Sequence, residues 1–444
     1  MRHDKPLYRL LLLTLSHLIV DGYANVIGPL MIVFAWHGVF SEDNAKLLPA
    51  ITAAAGSLTQ PLAGILADRG VPRGALLAGP AFAAGGIAMA MLSEQAALVV
   101  VFLVVSGVGI AIFHPEAAVL ASIGAGQRAS RWMSIFLFGG TMGLWLGPVL
   151  CGYLLKVTTM ANTALILATP GLLFGLYLSR SWIATIHPEA MQPDQPVTGS
   201  SPARDSNTAA QASALRPQSS PTEVTTPAAA AAPEARACMP DPPQPWRNAP
   251  LISLTLQATL RALAMGTVAV VVPWWGREHG AAIDVIGNLS GLFLFSGGVG
   301  MLLVGLLCTP RWEVPLLVIT AIAGAIHIAL LGWADTFWQA SLCIAAGGVL
   351  LNGLNAVIVS MAQRTSPQGT RTASALTMGF AWGLGGVAGP LLVWLVQDNT
   401  TALCVSAAAL LPAAILPLMM SRLPEVPHAP GDIPAALPVQ TGKS

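Results

Sequence analysis

The stretch AALVVVFLVVSGVGIAIF at 96–113 runs for eighteen residues without a charge, and HPEAAVL continues it at 114–120. As an α-helix rising about 1.5 Å per residue, such a run spans close to the ~30 Å hydrocarbon core of a bilayer. The run LLLTLSHLIV at 11–20 repeats the pattern, as do many others along the chain. Of 444 residues, 54% are apolar and only 9% charged, and mean hydropathy is +0.68. A soluble domain devotes about a quarter of its residues to charge. The composition therefore excludes a set of soluble domains and points to a polytopic membrane protein.

The runs are continuous, rich in Leu, Ala and Gly, and long enough to satisfy their own backbone hydrogen bonds, whereas a membrane barrel needs short alternating strands. The fold class expected is an all-α membrane protein. Turns and charges divide the chain into about twelve spans, roughly at 8–35, 45–67, 74–93, 96–123, 130–155, 159–179, 249–275, 284–308, 314–333, 337–362, 371–397 and 400–420. With both termini placed in the cytoplasm, seventeen Lys and Arg fall on that side and only Lys46, Lys156 and Arg277 on the other, with Arg261 inside a span. Discounting Arg204, Arg216 and Arg236 in the long central loop still leaves fourteen against three, the bias expected of cytoplasmic loops.

Residues 181–247 contain almost no apolar run and include PDQPVTGSSPARDS and SSPTEVTTPAAAAAPEA. Such Pro-, Ser-, Thr- and Ala-rich composition cannot build a packed core. The expected organisation is a six-helix half at 1–180, a flexible cytoplasmic linker at 181–247, a second six-helix half at 248–423 and a cytoplasmic tail at 424–444. GGTMGLWLGPVL at 139–150 echoes GLGGVAGPLLVW at 383–394, each in the fifth helix of its half, which suggests duplication. Close-set glycines let helix backbones approach, and an interior proline removes a hydrogen-bond donor and weakens the helix there. Gly139, Gly143, Gly147, Pro148, Gly386 and Pro390 are therefore expected to serve gating or hinge movements.

The formal charge of +1 and the lack of any basic block interleaved with aromatics argue against nucleic acid as a partner. Cys151, Cys238, Cys308, Cys343 and Cys404 show no CxxC spacing and read as small apolar side chains. The first apolar run contains His17 and Asp21 and no small-residue cleavage site, so it reads as a retained first helix. No GxSxG, HExxH or paired-aspartate arrangement accompanies the polar residues, so no enzyme is expected.

Ionisable groups within spans are costly unless they face a cavity or a partner. Asp21 and Glu116 are placed to exchange protons as solvent access changes. His17 and His114 can carry protons or hydrogen-bond an anion, and His17 stands four residues from Asp21 on one helical face. These residues show no further ligand cluster in sequence, so neither a metal nor a cofactor other than the proton is expected. Arg261 is the one basic side chain deep in a span, four residues after Gln257, and can attract an anionic group or neutralise Asp21 or Glu116. Asn25, Gln60, Gln257, Asn352 and Asn355 offer hydrogen bonds to a substrate, and Trp145, Trp274 and Trp382 offer apolar or cation-attracting surfaces. Static packing and interfacial anchoring are the competing explanations for each. Arg277 and Glu278 read as an external boundary pair.

After the second span comes GILADRGVPRG, with Gly64, Asp68, Arg69, Gly70 and Arg73. It resembles the G-x-x-x-D-R-x-G-R loop of major facilitator superfamily transporters, with Pro72 where that pattern usually has glycine. Asp68, Arg69 and Arg73 are then a charge latch biasing which face is closed. The corresponding GLLCTPRWEVP of the second half keeps only Arg311 and Glu313, so a symmetric latch is not expected. The Ser16-His17…Asp21 segment, FHPE at 113–116 and GFAWGLGGVAGP in the eleventh span together resemble the fosmidomycin resistance family within that superfamily, over roughly 8–180 and 249–420. The resemblance implies a major facilitator fold of twelve helices and proton-coupled export of a small drug-like or amphiphilic molecule across the bacterial inner membrane, with His17, Asp21, His114 and Glu116 at the family's positions. The partners expected are the transported small molecule and membrane lipids, with a monomer as the functional unit. Proton-coupled uptake of an organic anion or nutrient uses the same residues in the other direction, and a transport-incompetent receptor or scaffold built around the linker is a third alternative.

Overall fold

The computed structural model describes residues 6–68, 71–123, 129–185, 248–366 and 370–420. The tail and nearly all of the expected linker, 186–247, lie outside the described residues, as do Arg69 and Arg128 and the side chains of Asp68, Arg131 and Arg371. Eleven helices among the described residues are long and apolar enough to cross a membrane. In the first half these are α1 (Pro6–Trp36), α3 (Arg73–Met91), α4 (Ala96–Ser122), α5 (Ala129–Val157) and α6 (Met160–Arg180). The expected second span, α2, lies between α1 and α3 in three pieces: Leu48–Ala53, a widened π-helical stretch Ala54–Leu58, and Gln60–Asp68. Ser57, Thr59 and Gln60 lie at its centre.

The second half holds α7 (Ala249–Glu278), α8 (Ile283–Leu307), α9 (Pro310–Leu331), α10 (Phe337–Thr365), α11 (Thr372–Val396) and α12 (Asn399–Leu418). Helix α10 breaks at Gly353 and Leu354, between Phe337–Asn352 and Asn355–Thr365. Helix α11 carries a π-helical stretch, Ala375–Phe380. Large apolar side chains such as Leu165, Leu173, Leu303 and Leu395 are exposed on the outside of the bundle, where lipid replaces water.

The duplication shows in the packing. In the first half α5 lies on α1, and α3 contacts α4 and α6; in the second, α11 lies on α7, and α9 contacts α10 and α12. Gly139, Gly143 and Gly147 press against Thr14, Leu18 and Gly22 of α1, while Gly385 and Gly389 press against Ala262 and Gly266 of α7. A Cβ on Gly143 would stand 2.8 Å from the carbonyl carbon of Leu18. The echoed glycines thus act as contact residues, allowing two backbones to approach as in small-residue membrane interfaces. The halves meet along α5 with α8 and along α2 with α11. Gly386 faces Ala53 across the second of these seams, and Gly287 of α8 packs on Pro148 across the first.

At the end remote from the termini, the halves are joined by charge. Lys156 donates to Asp284 at 2.8 Å, and Arg277 pairs with Glu42. Lys46 and Arg277 both lie near the Trp274 ring, 5.5 and 4.8 Å from its centroid. Glu278, beside Arg277 at the same end, accepts from Asn399 at 3.0 Å. Near the terminal end, the described ion pairs stay within a half: Arg73 with Glu116, and Arg364 with Glu313.

Candidate functional site

Three of the residues singled out in sequence meet inside the first half. His17 and Asp21, one helical turn apart on α1, are 3.2 Å apart between Nε2 and Oδ2. His114 of α4 brings its own Nε2 to 2.9 Å from the other carboxylate oxygen of Asp21. The imidazole rings stand edge to face with centroids 4.9 Å apart. His17 is buried, while Asp21 and His114 are half-buried.

Neighbouring sequence makes room for this cluster and orients it. Gly140 of α5 leaves the space: a Cβ there would stand 2.5 Å from Asp21 Oδ2 and from His17 Nε2. Phe136, one turn earlier, stacks on the His17 ring with centroids 4.1 Å apart. Its carbonyl accepts from His17 Nδ1 at 2.8 Å, and the Ile110 carbonyl accepts from His114 Nδ1 at 2.7 Å. Carbonyl oxygens only accept, so both Nδ1 atoms carry hydrogen and both Nε2 atoms face the carboxylate. Without a further proton, each Nε2···O contact sets one lone pair against another. The cluster therefore holds up to two exchangeable protons between three side chains.

Two imidazoles and a carboxylate are also donors that a transition metal takes, and their ligand atoms lie within 4.8 Å of one another. Each imidazole, however, meets the carboxylate directly at hydrogen-bond length, the spacing of shared protons.

Glu116 stands apart from the cluster. It is buried near the terminal end of α4, and Oε1 pairs with Arg73 Nε at 2.7 Å. The structure thus joins a residue read as a proton carrier with one read as a latch cation, tying α3 to α4.

Arg261 meets neither Asp21 nor Glu116. Its NH1 donates to the Leu350 carbonyl at 3.0 Å, and its NH2 donates to the Leu317 carbonyl at 2.9 Å and to Thr320 Oγ1 at 2.7 Å. The side chain is fully buried among α7, α9 and α10. Since Gly22 and Gly266 hold matching places against α5 and α11, Arg261 is the counterpart in α7 of His17 in α1. The first half has a titratable group there, and the second a permanent cation. Gln257, one turn before, donates to the Ala413 carbonyl of α12 at 3.2 Å.

The remaining polar residues are dispersed. Asn25 donates to the Leu144 carbonyl at 3.2 Å, linking α1 to α5. Asn355 donates to Asn352 at 3.3 Å beside the break in α10. Gln60 Oε1 lies 3.7 Å from the Cβ direction of Gly379, where the two π-helical stretches face each other. Trp145 of α5 meets Phe295 of α8 with centroids 5.1 Å apart, across the seam between halves. Trp274 is buried at the end remote from the termini, and Trp382 packs partly buried against the core.

Sequence reasoning passed over Tyr23, whose hydroxyl donates to the Leu167 carbonyl at 2.6 Å and accepts from Gly171 N–H at 3.0 Å. It bridges these two groups of the α6 ladder, beside Pro170. The signal was available in Pro170-Gly171, a weakened point in a helix, but nothing in sequence names its partner. Phe136 and Gly140 were likewise missed, because their roles follow only from the approach of α5 to α1.

Residues 10–237 match the family model described as Major Facilitator Superfamily. The chain is similar to the fosmidomycin resistance protein of Escherichia coli (strain K12), 22% identical over 422 residues, covering 94% of this chain and 92% of that protein. Among solved structures, it is similar to a bacterial homolog of the human lysosomal transporter Spinster in its inward-facing and occupied conformation, with a TM-score of 0.64, 14% identity, and 94% and 98% of the two chains covered. It is also similar to the human organic anion transporter MFSD10, with a TM-score of 0.60, 16% identity, and 94% and 100% covered. Likeness at these identities shows the shared fold.

Proposed function

Because the chain belongs to the Major Facilitator Superfamily, a family of membrane transporters rather than enzymes, we propose that it uses alternating access to export a small drug-like or amphiphilic molecule in exchange for protons. The observation that supports this most is the His17–Asp21–His114 cluster, where two Nε2 atoms stand 3.2 and 2.9 Å from the oxygens of one carboxylate. The similarity to a fosmidomycin resistance protein supports the outward direction and a drug-like cargo.

In this reading the termini lie in the cytoplasm, and the Lys156–Asp284 and Glu42–Arg277 pairs close the outer end. Cargo enters from the cytoplasm and the His17–Asp21–His114 cluster releases protons there. The halves then rock along the α5–α8 and α2–α11 seams, breaking the outer pairs, and outside protons reload the cluster as cargo leaves. The π-helical stretches in α2 and α11 meet at one seam and have less regular backbone bonding, which suits them to bend. Glu116 serves as a second acid, available to protons when its pair with Arg73 opens. The remaining polar residues and Trp145, Trp274 and Trp382 are assigned to the substrate path or its packing, and Asp68 and Arg69 to the latch. Arg261 acts in this conformation as a fixed internal brace.

Everted membrane vesicles with an acidified lumen test this reading. Screening fosmidomycin and diverse amphiphiles should reveal a compound that accumulates inside and is released on adding a protonophore. If the active compounds instead leave such vesicles together with protons, the chain works by uptake.

A further inference from the structure

Where α6 ends, a cleft of about 430 Å³ opens on the outside of the first half, lined by Leu176, Tyr177, Arg180, Ser181 and Trp182. Helix α6 runs 21 residues from Met160 to Arg180, a rise close to the ~30 Å hydrocarbon core of a bilayer. Arg180 therefore stands at the water boundary on the side of the termini. Leu165, Leu172, Leu173, Leu176 and Tyr177 are exposed, and their helical spacing sets them in one stripe that ends at Arg180. A lipid tail lying along this stripe leads its headgroup into the cleft.

The charge of the cleft selects among headgroups. Among the described residues, Arg180 is exposed and makes no ion pair, unlike Arg73, Arg277 and Arg364, which hold carboxylates. Ser181 is committed to the chain itself: its Oγ donates to the Leu178 carbonyl at 2.9 Å and accepts from Ile183 N–H at 3.3 Å. Among the described residues no carboxylate lines the cleft, so an ammonium headgroup finds no counter-charge there. A phosphate meets a guanidinium, whose paired N–H groups match its oxygens, and Tyr177 and Trp182 flank it as aromatic side chains do at headgroup level. The cleft is also firmly seated. Ile183 is buried, the short turn Trp182–Thr185 packs against the start of α3, and a Cβ on Gly74 would stand 2.7 Å from the Ser179 carbonyl oxygen.

We propose that this cleft binds an anionic phospholipid from the leaflet on the side of the termini, with its phosphate on Arg180 and an acyl chain along the α6 stripe. Native mass spectrometry of the full chain in detergent tests this with phosphatidylglycerol and phosphatidylethanolamine of identical acyl chains. The expected result is preferential retention of phosphatidylglycerol, weakened about fivefold by Arg180→Gln, the scale of one arginine at an anionic lipid surface. Arg311→Gln is the control: it removes an exposed cation beside Trp312 at the same end of the second half, and should leave the binding unchanged. Equal melting of both variants and wild type in lipid-free detergent checks that they are folded.

Equal retention of the two lipids overturns the proposal, as does Arg180→Gln binding phosphatidylglycerol like wild type. An equal loss in Arg311→Gln also overturns it, because diffuse surface charge then accounts for the preference. Inorganic phosphate and glycerol phosphate separate a lipid from its headgroup chemistry. Neither should displace phosphatidylglycerol at a matching concentration, since neither covers the α6 stripe; displacement by either one assigns the cleft to free phosphate and overturns the lipid.

Discussion

Replacing Gly143 with alanine tests whether the glycine stripe of α5 sets the geometry of the proton cluster. The added Cβ would meet the carbonyl oxygen of Leu18 and stand 2.8 and 2.9 Å from its carbonyl carbon and Cα. Ordinary van der Waals contact begins near 3.4 Å, so α1 must retreat by roughly half an ångström or more at a point of tight packing. Overpacking of this kind costs about 1–3 kcal/mol. Leu18 lies between His17 and Asp21, so the same retreat alters the 3.2 and 2.9 Å contacts of Asp21 with His17 and His114. Gly85 of α3 is the control, because a Cβ there meets nothing within 4 Å. Alanine at Gly85 should be neutral or stabilising by up to about 1 kcal/mol through helix propensity. Thermal melts of both variants in one detergent, with gradient-driven transport measured in parallel, give the comparison. Equal melting of Gly143→Ala and wild type with transport intact would refute the close-packing account.

Three further outcomes follow from other contacts. Arg261→Gln should lower stability by roughly 3 kcal/mol, the scale of one or two charged hydrogen bonds, with Arg261→Lys falling between it and wild type in denaturant or thermal melts. Tyr23→Phe removes both hydroxyl bonds that tie α1 to α6, so a loss of about 1 kcal/mol is expected; cysteine cross-linking between α1 and α6 should show the looser contact. Lys156→Glu should favour opening of the end remote from the termini, with a several-fold rise in labelling of a cysteine placed beside Asp284, and adding Asp284→Lys should restore the wild-type rate.

The helices were legible in sequence because hydrocarbon leaves few alternatives to them. The duplication was also legible: the echo of 139–150 in 383–394 corresponds to the same helix contact in both halves. So was the His17–Asp21 pairing, since one helical turn brings residues four apart together. What sequence withheld was long-range approach. Nothing in HPE specifies that His114 turns to Asp21 while Glu116 reaches Arg73, since two residues on a helix point in widely different directions. The sequence pattern offers Arg261 an anion or the carboxylates of Asp21 and Glu116 as partners, whereas α9 and α10 supply carbonyls that no side-chain pattern advertises. The broken α2 went unforeseen because a π-helical stretch adds one residue to a turn without a distinctive composition.

The central claim, that Asp21 with its two histidines couples proton movement to transport, is tested most directly by gradient-driven accumulation in everted vesicles carrying wild type or Asp21→Asn at equal membrane abundance. The account predicts that wild type concentrates a transported compound in an acidified lumen and that Asp21→Asn does not. Accumulation by Asp21→Asn at the wild-type level, with the same dependence on the proton gradient, would contradict it.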